Sequence, residues 1–267
     1  MALEGPSRQT PSKFVRPLII LSNDDGFQSP HLAAARAGLE ELDVEVLVVA
    51  PERPRSASSH AITLHKPLRA VERARGCYAV SGSPVDCVCL AVWSLACRQP
   101  ALVVSGINFG FNLGGDVFYS GTVGAAAEGV LRGVPGLAVS VAPSRKSDID
   151  LTVRFTVALV ERLLRQPLPP RTLLNVNVPA DADGRYKWTR LGERVYEGVV
   201  DERVDPRGHR YYWFAGTVAE RAHAPDTDCW AVENGVISLT PLYFDLTHRE
   251  MLAADRPWRV DGYPEID

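Results

Sequence analysis

The stretch IILSNDDGFQSP, residues 19–30, runs an apolar strand into two adjacent aspartates. Ile19, Ile20 and Leu21 lack the polar alternation of a half-exposed strand, so they read as buried on both faces. The run stops at Asn23, Asp24, Asp25 and Gly26, and an Ala/Leu-rich helix candidate follows over 31–42. Moving outward, VEVLVVA (44–50), ALVVS (101–105) and LAVSVA (137–142) repeat the apolar strand type. Helix candidates at 84–97 and 122–132 fall between them, the second followed by the stop signals Gly133 and Pro135. A further helix is expected over 151–165 and a strand over 173–178. This alternation predicts an α/β fold: a Rossmann-like, doubly wound, mostly parallel sheet in a three-layer α/β/α core.

The texture changes along the chain. Residues 1–13 are polar with two prolines and read as a disordered tail. Residues 14–180 are expected to form the catalytic core, and 181–267 a smaller β-rich C-terminal portion. In that portion 196–200, 210–214 and 236–239 read as short strands, with DPRGHRYYWF (205–214) as a turn entering a hairpin strand. Tyr186, Trp188, Tyr196, Tyr211, Tyr212, Trp213 and Phe214 carry more aromatic surface than an isolated hairpin can bury. The arm is therefore expected at a subunit interface of at least a homodimer.

The 267 residues are 46% hydrophobic and 23% charged, with a formal net charge of -3. No general attraction to DNA or to an anionic membrane follows from that balance. No apolar run reaches the ~18 residues of a membrane span, and the N-terminus lacks the apolar stretch of a signal peptide. The five cysteines form no C-x-x-C pair, which suits free thiols and a cytoplasmic protein.

The candidate chemistry gathers after strands, where open α/β sheets bind ligands. Asp24 and Asp25 repel, and a cation beside them relieves the conflict. The candidate partners are all oxygens: the Asn108 amide and a serine hydroxyl from 56–59, a set suited to Mg²⁺ or Mn²⁺ rather than zinc. The competing reading is a turn with an Asx cap. Ser120, Gly121 and Thr122 open a helix whose free N–H groups suit an anion, although a plain N-cap explains them too. The Gly-rich stretch 106–114 matches neither phosphate-loop nor dinucleotide fingerprint and by itself reads equally as a flexible loop. His60 is the one histidine in a candidate site loop, with general-acid chemistry or solvation as its alternatives. A cation beside an anion-binding helix start is the machinery of metal-assisted phosphate-ester hydrolysis.

LSNDDGFQSPHL, VVAPERPRSASSHAITL, SGSPVDCVCLA, LVVSGINFGFNLGGDVFYSGTVGAAAEG and DPRGHRYYW together resemble the SurE family of metal-dependent 5'(3')-nucleotidases, from about Leu18 to about Leu246. The resemblance implies hydrolysis of nucleoside monophosphates, activity on short polyphosphate in some members, one divalent metal ion per subunit, and a homodimer or homotetramer exchanging C-terminal segments. By position it implies metal ligands Asp24, Asp25, Ser56 and Asn108, and a phosphate site around Asn112, Ser120, Gly121 and Thr122. His60 replaces an asparagine frequent in the family, and Gly115 replaces an acidic residue. The expected activity is that of a phosphoric monoester hydrolase acting on nucleotides, with Asp24, Asp25 and His60 as catalytic candidates. Whether water or Asp24 attacks phosphorus stays open. The rival readings are a nucleoside N-ribohydrolase, which also places aspartates after a first strand, and a nucleotide sensor without turnover.

Overall fold

The computed structural model describes residues 15–198, 200–214, 216–219 and 221–253. The expected N-terminal tail and the last residues of the C-terminal portion lie outside them.

Strand β1 (Leu18–Ser22) is buried along its whole length. Its side chains alternate between two cores. Ile19 and Leu21 pack with Leu32, Ala35 and Leu39 of α1 (Pro30–Leu39) and with Val160 and Leu163 of α4 (Ile149–Arg165). Leu18 and Ile20 face the opposite way, toward Cys87 and Val88 of α2 (Pro84–Leu90) and Ala125 of α3 (Gly121–Leu131). Two apolar faces on one strand are what a sheet sandwiched between helices requires.

The other strands are β2 (Glu45–Pro51), β3 (Ala70–Ala74), β4 (Cys77–Val80), β5 (Leu102–Phe109), β6 (Gly136–Val141) and β7 (Thr172–Val178). Beyond them come β8 (Tyr186–Trp188), β9 (Tyr196–Glu197), β10 (Val200–Val204), β11 (Arg210–Phe214), β12 (Thr217–Val218) and β13 (Ile237–Tyr243). The main sheet has the order β3-β4-β2-β1-β5-β6-β7-β13-β8. β4, β2, β1, β5, β6 and β7 pair in parallel. The chain winds outward from β1 through β2 and β4, then returns to β5 on the other side of β1. The crevice beyond the ends of β1 and β5 is thus the topological switch point.

The structure corrects three expectations. The antiparallel pair β3–β4 was not foreseen, because AVERA is exposed throughout and carries the weak apolar signal of a charged edge strand. The helix expected over 84–97 is α-helical only to Leu90 and ends in one π-helical turn, Ala91–Leu95, after which Ala96 is extended. The strand near 236–239 is not set apart in a separate C-terminal portion: β13 lies in the main sheet, antiparallel to β7 and parallel to β8. Its buried half, Ile237–Thr240, supplies the apolar face that the sheet edge needs. The exposed hairpin is β10–β11, closed by a turn in which Gly208 has φ 90 and its N–H donates to the Asp205 carbonyl at 3.0 Å. Among the described residues, no helix is long and apolar enough to cross a membrane.

The C-terminal region is also tied to the loop after β5. Asp228, the first residue of α5 (Asp228–Glu233), is fully buried. Its Oδ1 accepts from the N–H groups of Gly192 (2.7 Å) and Cys229 (2.8 Å), and its Oδ2 from Gly114 N–H (2.9 Å). Asp228→Ala strands three donors, of which those of Gly114 and Cys229 are buried and that of Gly192 half-buried, at a cost of about 3 kcal/mol. A melting point lower by about 6–12 °C in scanning calorimetry is the expected outcome; an unchanged one removes Asp228 from this role.

Candidate active site

Asp24 lies two residues past the end of β1 and is 6% exposed, whereas Asp25 is half-buried. Three segments converge on them. The Arg55 N–H donates to the Asp24 carbonyl at 2.7 Å, stitching the loop after β2 to the strand end. The Phe109 N–H donates to Asp25 Oδ2 at 3.1 Å, bringing in the end of β5. The Thr122 hydroxyl donates to Asp24 Oδ1 at 2.5 Å, bringing in the first turn of α3. Gly121 is required at that contact: a methyl there would sit 2.5 Å from Ser58 Oγ and 2.9 Å from Asp24 Cβ.

Burial pushes the Asp24 carboxyl up from 3.8 to about 6, and the like charge of Asp25 adds to the rise, against a lowering by the Thr122 bond. A cation beside the pair reverses both raising influences. Ser58 Oγ and Asn23 Oδ1 are buried with no hydrogen-bond partner among the described residues. Asn108 Nδ2 donates to the Gly110 carbonyl at 2.7 Å, which leaves Oδ1 as the atom of its amide that could coordinate a cation. The register slip between β5 and β6 at Ser105 and Asn108 bends the strand end there. Ser56 lies exposed in the stitched loop. Among the described residues, no three His, Cys, Asp or Glu side chains group as a metal site. The donors that remain are two carboxylates, hydroxyls and an amide, which fit a hard divalent cation.

The other expected residues have more specific surroundings. Ser120 caps α3, its hydroxyl accepting from Val123 N–H at 3.0 Å. The N–H groups of Gly121 and Thr122, in the first turn, have no intrahelical partner and open an anion site. Asn112 is buried beneath the crevice. Its Nδ2 donates to Ser140 Oγ at 2.7 Å, its N–H to Asn177 Oδ1 at 2.8 Å, and its carbonyl accepts from Asn175 and Asn177. The side chain ties the loop to β6, and the backbone of Asn112 ties it to β7.

His60 hydrogen-bonds to Glu128 and, among the described residues, to neither aspartate. Its Nε2 meets Glu128 Oε2 at 2.7 Å, six residues along α3 from Thr122, or about 9 Å of helix rise. Glu128 is the residue that reading the sequence missed. It is 3% exposed and also accepts from Cys89 Sγ (3.0 Å) and Arg132 Nε (2.8 Å). Burial raises its carboxyl, but the bonds from His60, Cys89 and Arg132 outweigh burial and hold it down at about 2. Its signal in the sequence is a single charge inside the apolar run VGAAAEGVL. Asp116, one residue past Gly115, pairs with Arg194, and its Oδ2 accepts from Tyr196 Oη at 2.7 Å, so the C-terminal arm docks on the turn leading to Ser120.

The two carboxylates at the switch point thus lie beside the start of a helix, in a stretch that this chain shares with a known family. Residues 19–198 match the family described as "Survival protein SurE". The chain belongs to the SurE family. A protein named 5'-nucleotidase SurE from Desulforudis audaxviator (strain MP104C) is 45% identical over 254 residues, covering 91% of this chain and 98% of the relative. One of the same name from Anaeromyxobacter sp. (strain Fw109-5) is 48% identical over 248 residues, covering 92% and 97%. The crystal structure of the SurE protein from Aquifex aeolicus superposes with a TM-score of 0.79 at 38% identity, covering 89% of this chain and 97% of that one. The likeness to the SurE fold therefore extends over most of the chain.

The raised Asp24 carboxyl has a consequence for stability. Such a group favours the folded state as the acid: the contribution is complete below pH 3.8 and is lost as pH rises through about 6. In excess chelator, Asp24→Asn is expected to raise the melting temperature at about pH 8, with a ceiling of about 3 kcal/mol. The gain should vanish toward pH 4. Equal shifts at both pH values contradict a buried, uncompensated carboxylate.

Proposed function

We propose that this SurE-family chain is a metal-dependent nucleotidase that hydrolyses nucleoside 5'-monophosphates, and 3'-monophosphates as well, to nucleoside and inorganic phosphate. The observation that carries the reading is the hydrogen bond from Thr122 to Asp24. It joins the carboxylate pair and the open start of α3 into one site, where a phosphate monoester meets a cation on one side and helix N–H groups on the other.

Asp24, Asp25, Ser56 and Asn108 would hold one Mg²⁺ or Mn²⁺ ion. When bound, the ion neutralises the aspartates and polarises a phosphoryl oxygen. The N–H groups of Gly121 and Thr122, with the unpartnered Ser58 hydroxyl, cradle the remaining phosphoryl oxygens. Ser120 and Asn112 keep that cradle in shape, the first as the cap of α3 and the second as the anchor of the loop after β5. The buried position of Asp24 excludes water from one side of the phosphate and strengthens each of these charge interactions.

The test is release of inorganic phosphate from a nucleotide panel with and without chelator. Chelation should abolish the activity and Mg²⁺ or Mn²⁺ should restore it, while Asp25→Asn loses at least ~100-fold in rate. Release of free base instead of phosphate points to an N-ribohydrolase. Binding without turnover points to a sensor.

The working unit is a homodimer or homotetramer. All five β11 residues are exposed in a single chain, with Trp213 60% and Phe214 90% exposed on opposite faces of the strand, so aromatic surface on both sides of the hairpin is open to a subunit interface. Light scattering of the intact protein should give at least a dimer at micromolar concentration, and a variant shortened in the 205–214 loop a smaller particle. A monomeric intact protein overturns the assembly. All five cysteines are free thiols, which supports a place in the cytoplasm.

A further inference from the structure

The loop between Arg55 and His60 is held in a conformation that it would not adopt alone. Ala57 and Ser59 both have φ 54, in the left-handed region that non-glycine residues avoid. Such residues persist where their surroundings over-determine the backbone. Four ties do so here. Arg55 N–H bonds the Asp24 carbonyl at 2.7 Å, Ser59 N–H the Tyr119 carbonyl at 3.0 Å, Ser59 Oγ the Phe118 carbonyl at 2.6 Å, and His60 Nε2 the Glu128 carboxylate at 2.7 Å. The loop also lies directly on α3. A methyl on Gly124 would come within 2.7 Å of the Ser59 carbonyl oxygen and 3.3 Å of His60 Cα.

The tie at His60 differs from the other three. They use backbone groups or a hydroxyl near the site, whereas this one reaches a buried carboxylate deeper along the helix. Glu128 cannot easily move. Arg132 holds it from the next turn of α3, and Cys89 from α2. Arg132 itself lies against the Trp93 ring, 4.0 Å from its centroid. The chain of contacts therefore runs from the α2–α3 packing to the end of a loop whose other side carries Ser56 and Ser58.

We propose that the His60–Glu128 pair holds the left-handed turn at 57–59 and thereby sets Ser56 in the cation site, which makes Glu128 a positioning residue for the nucleotidase reaction. The proposal rests on the reading of Ser56 as a ligand given above. With the tie gone, Ala57 and Ser59 relax toward ordinary backbone angles and Ser56 leaves the ligand set for part of the time. The loss falls on cation affinity first. An outer-shell partner of this kind typically changes metal affinity tenfold or more.

The test is Mn²⁺ binding by titration calorimetry on the full chain, with no substrate present. His60 is partly exposed, with 33% of its side chain accessible, so its variants are expected to fold. His60→Ala should weaken Mn²⁺ binding about tenfold. His60→Gln, whose amide N–H can still reach Glu128, should bind within about twofold of the parent. Each of the three should keep a single cooperative melting transition without metal, His60→Ala at a lower temperature because the buried Glu128 carboxylate loses one of its donors. Unchanged affinity in His60→Ala, or equal weakening in both variants, overturns the proposal. Ser56→Ala measured alongside separates the two readings. If it binds Mn²⁺ fully, Ser56 is not a ligand and the positioning route fails with it. If it binds weakly while His60→Ala binds fully, only the positioning role is lost.

Discussion

Asp24 and Asp25 put two negative charges side by side at the end of a strand that helices seal from water on both faces. Neither repulsion nor burial favours that arrangement, and the surrounding structure answers both. The Thr122 hydroxyl donates to one carboxylate and the Phe109 N–H to the other. The Arg55 N–H holds the backbone between β1 and the loop after β2. Arg55 lies in the connection after β2, and Phe109 and Thr122 at the two ends of the segment that joins β5 to α3, so the aspartates are where two connections are tied to the end of β1. A divalent cation is the natural completion, because it cancels the charge that the protein groups only share.

Polar residues buried away from the aspartates keep that meeting point in place. Asn112 couples the loop after β5 to β6 and β7 through Ser140, Asn175 and Asn177. Asp228 couples the same loop to the C-terminal region at Gly114 and Gly192. Asp116 receives Arg194 and Tyr196 from the arm. The C-terminal region is thus built into the frame of the site as well as carrying an exposed hairpin. Any assembly formed through that hairpin has a covalent and hydrogen-bonded path to the turn that precedes Ser120.

The exposed hairpin and the buried core show opposite solutions to aromatic and apolar surface. Inside the core, Val, Ile, Leu and Ala fill both faces of the sheet with few aromatics. On the hairpin, Tyr212, Trp213 and Phe214 remain open in one chain. An exposed row of that kind suits association with another copy, since burying it supplies the apolar contact that the two strands lack alone.

Much of this was legible in the residues themselves. Continuous apolar runs such as Ile19–Leu21 dictate strands buried on both faces, and their alternation with helix patterns dictates the doubly wound core. Local chemistry also marked Asp24, Asp25 and the Ser120–Thr122 helix start as candidates, because adjacent carboxylates repel and a helix start leaves free N–H groups, although a turn and a plain N-cap have the same local signature. The edge pair β3–β4, the place of β13 inside the main sheet and the partner of His60 were decided only in three dimensions. AVERA lacks the apolar signal of a strand because one edge of it faces solvent. The short run at Ile237 looks the same whether it lies in a hairpin or in a nine-stranded sheet. Glu128 stands 68 residues from His60, and no local pattern pairs them. Sequence periodicity records which faces are buried; which charges meet across those faces depends on how the crossovers pack.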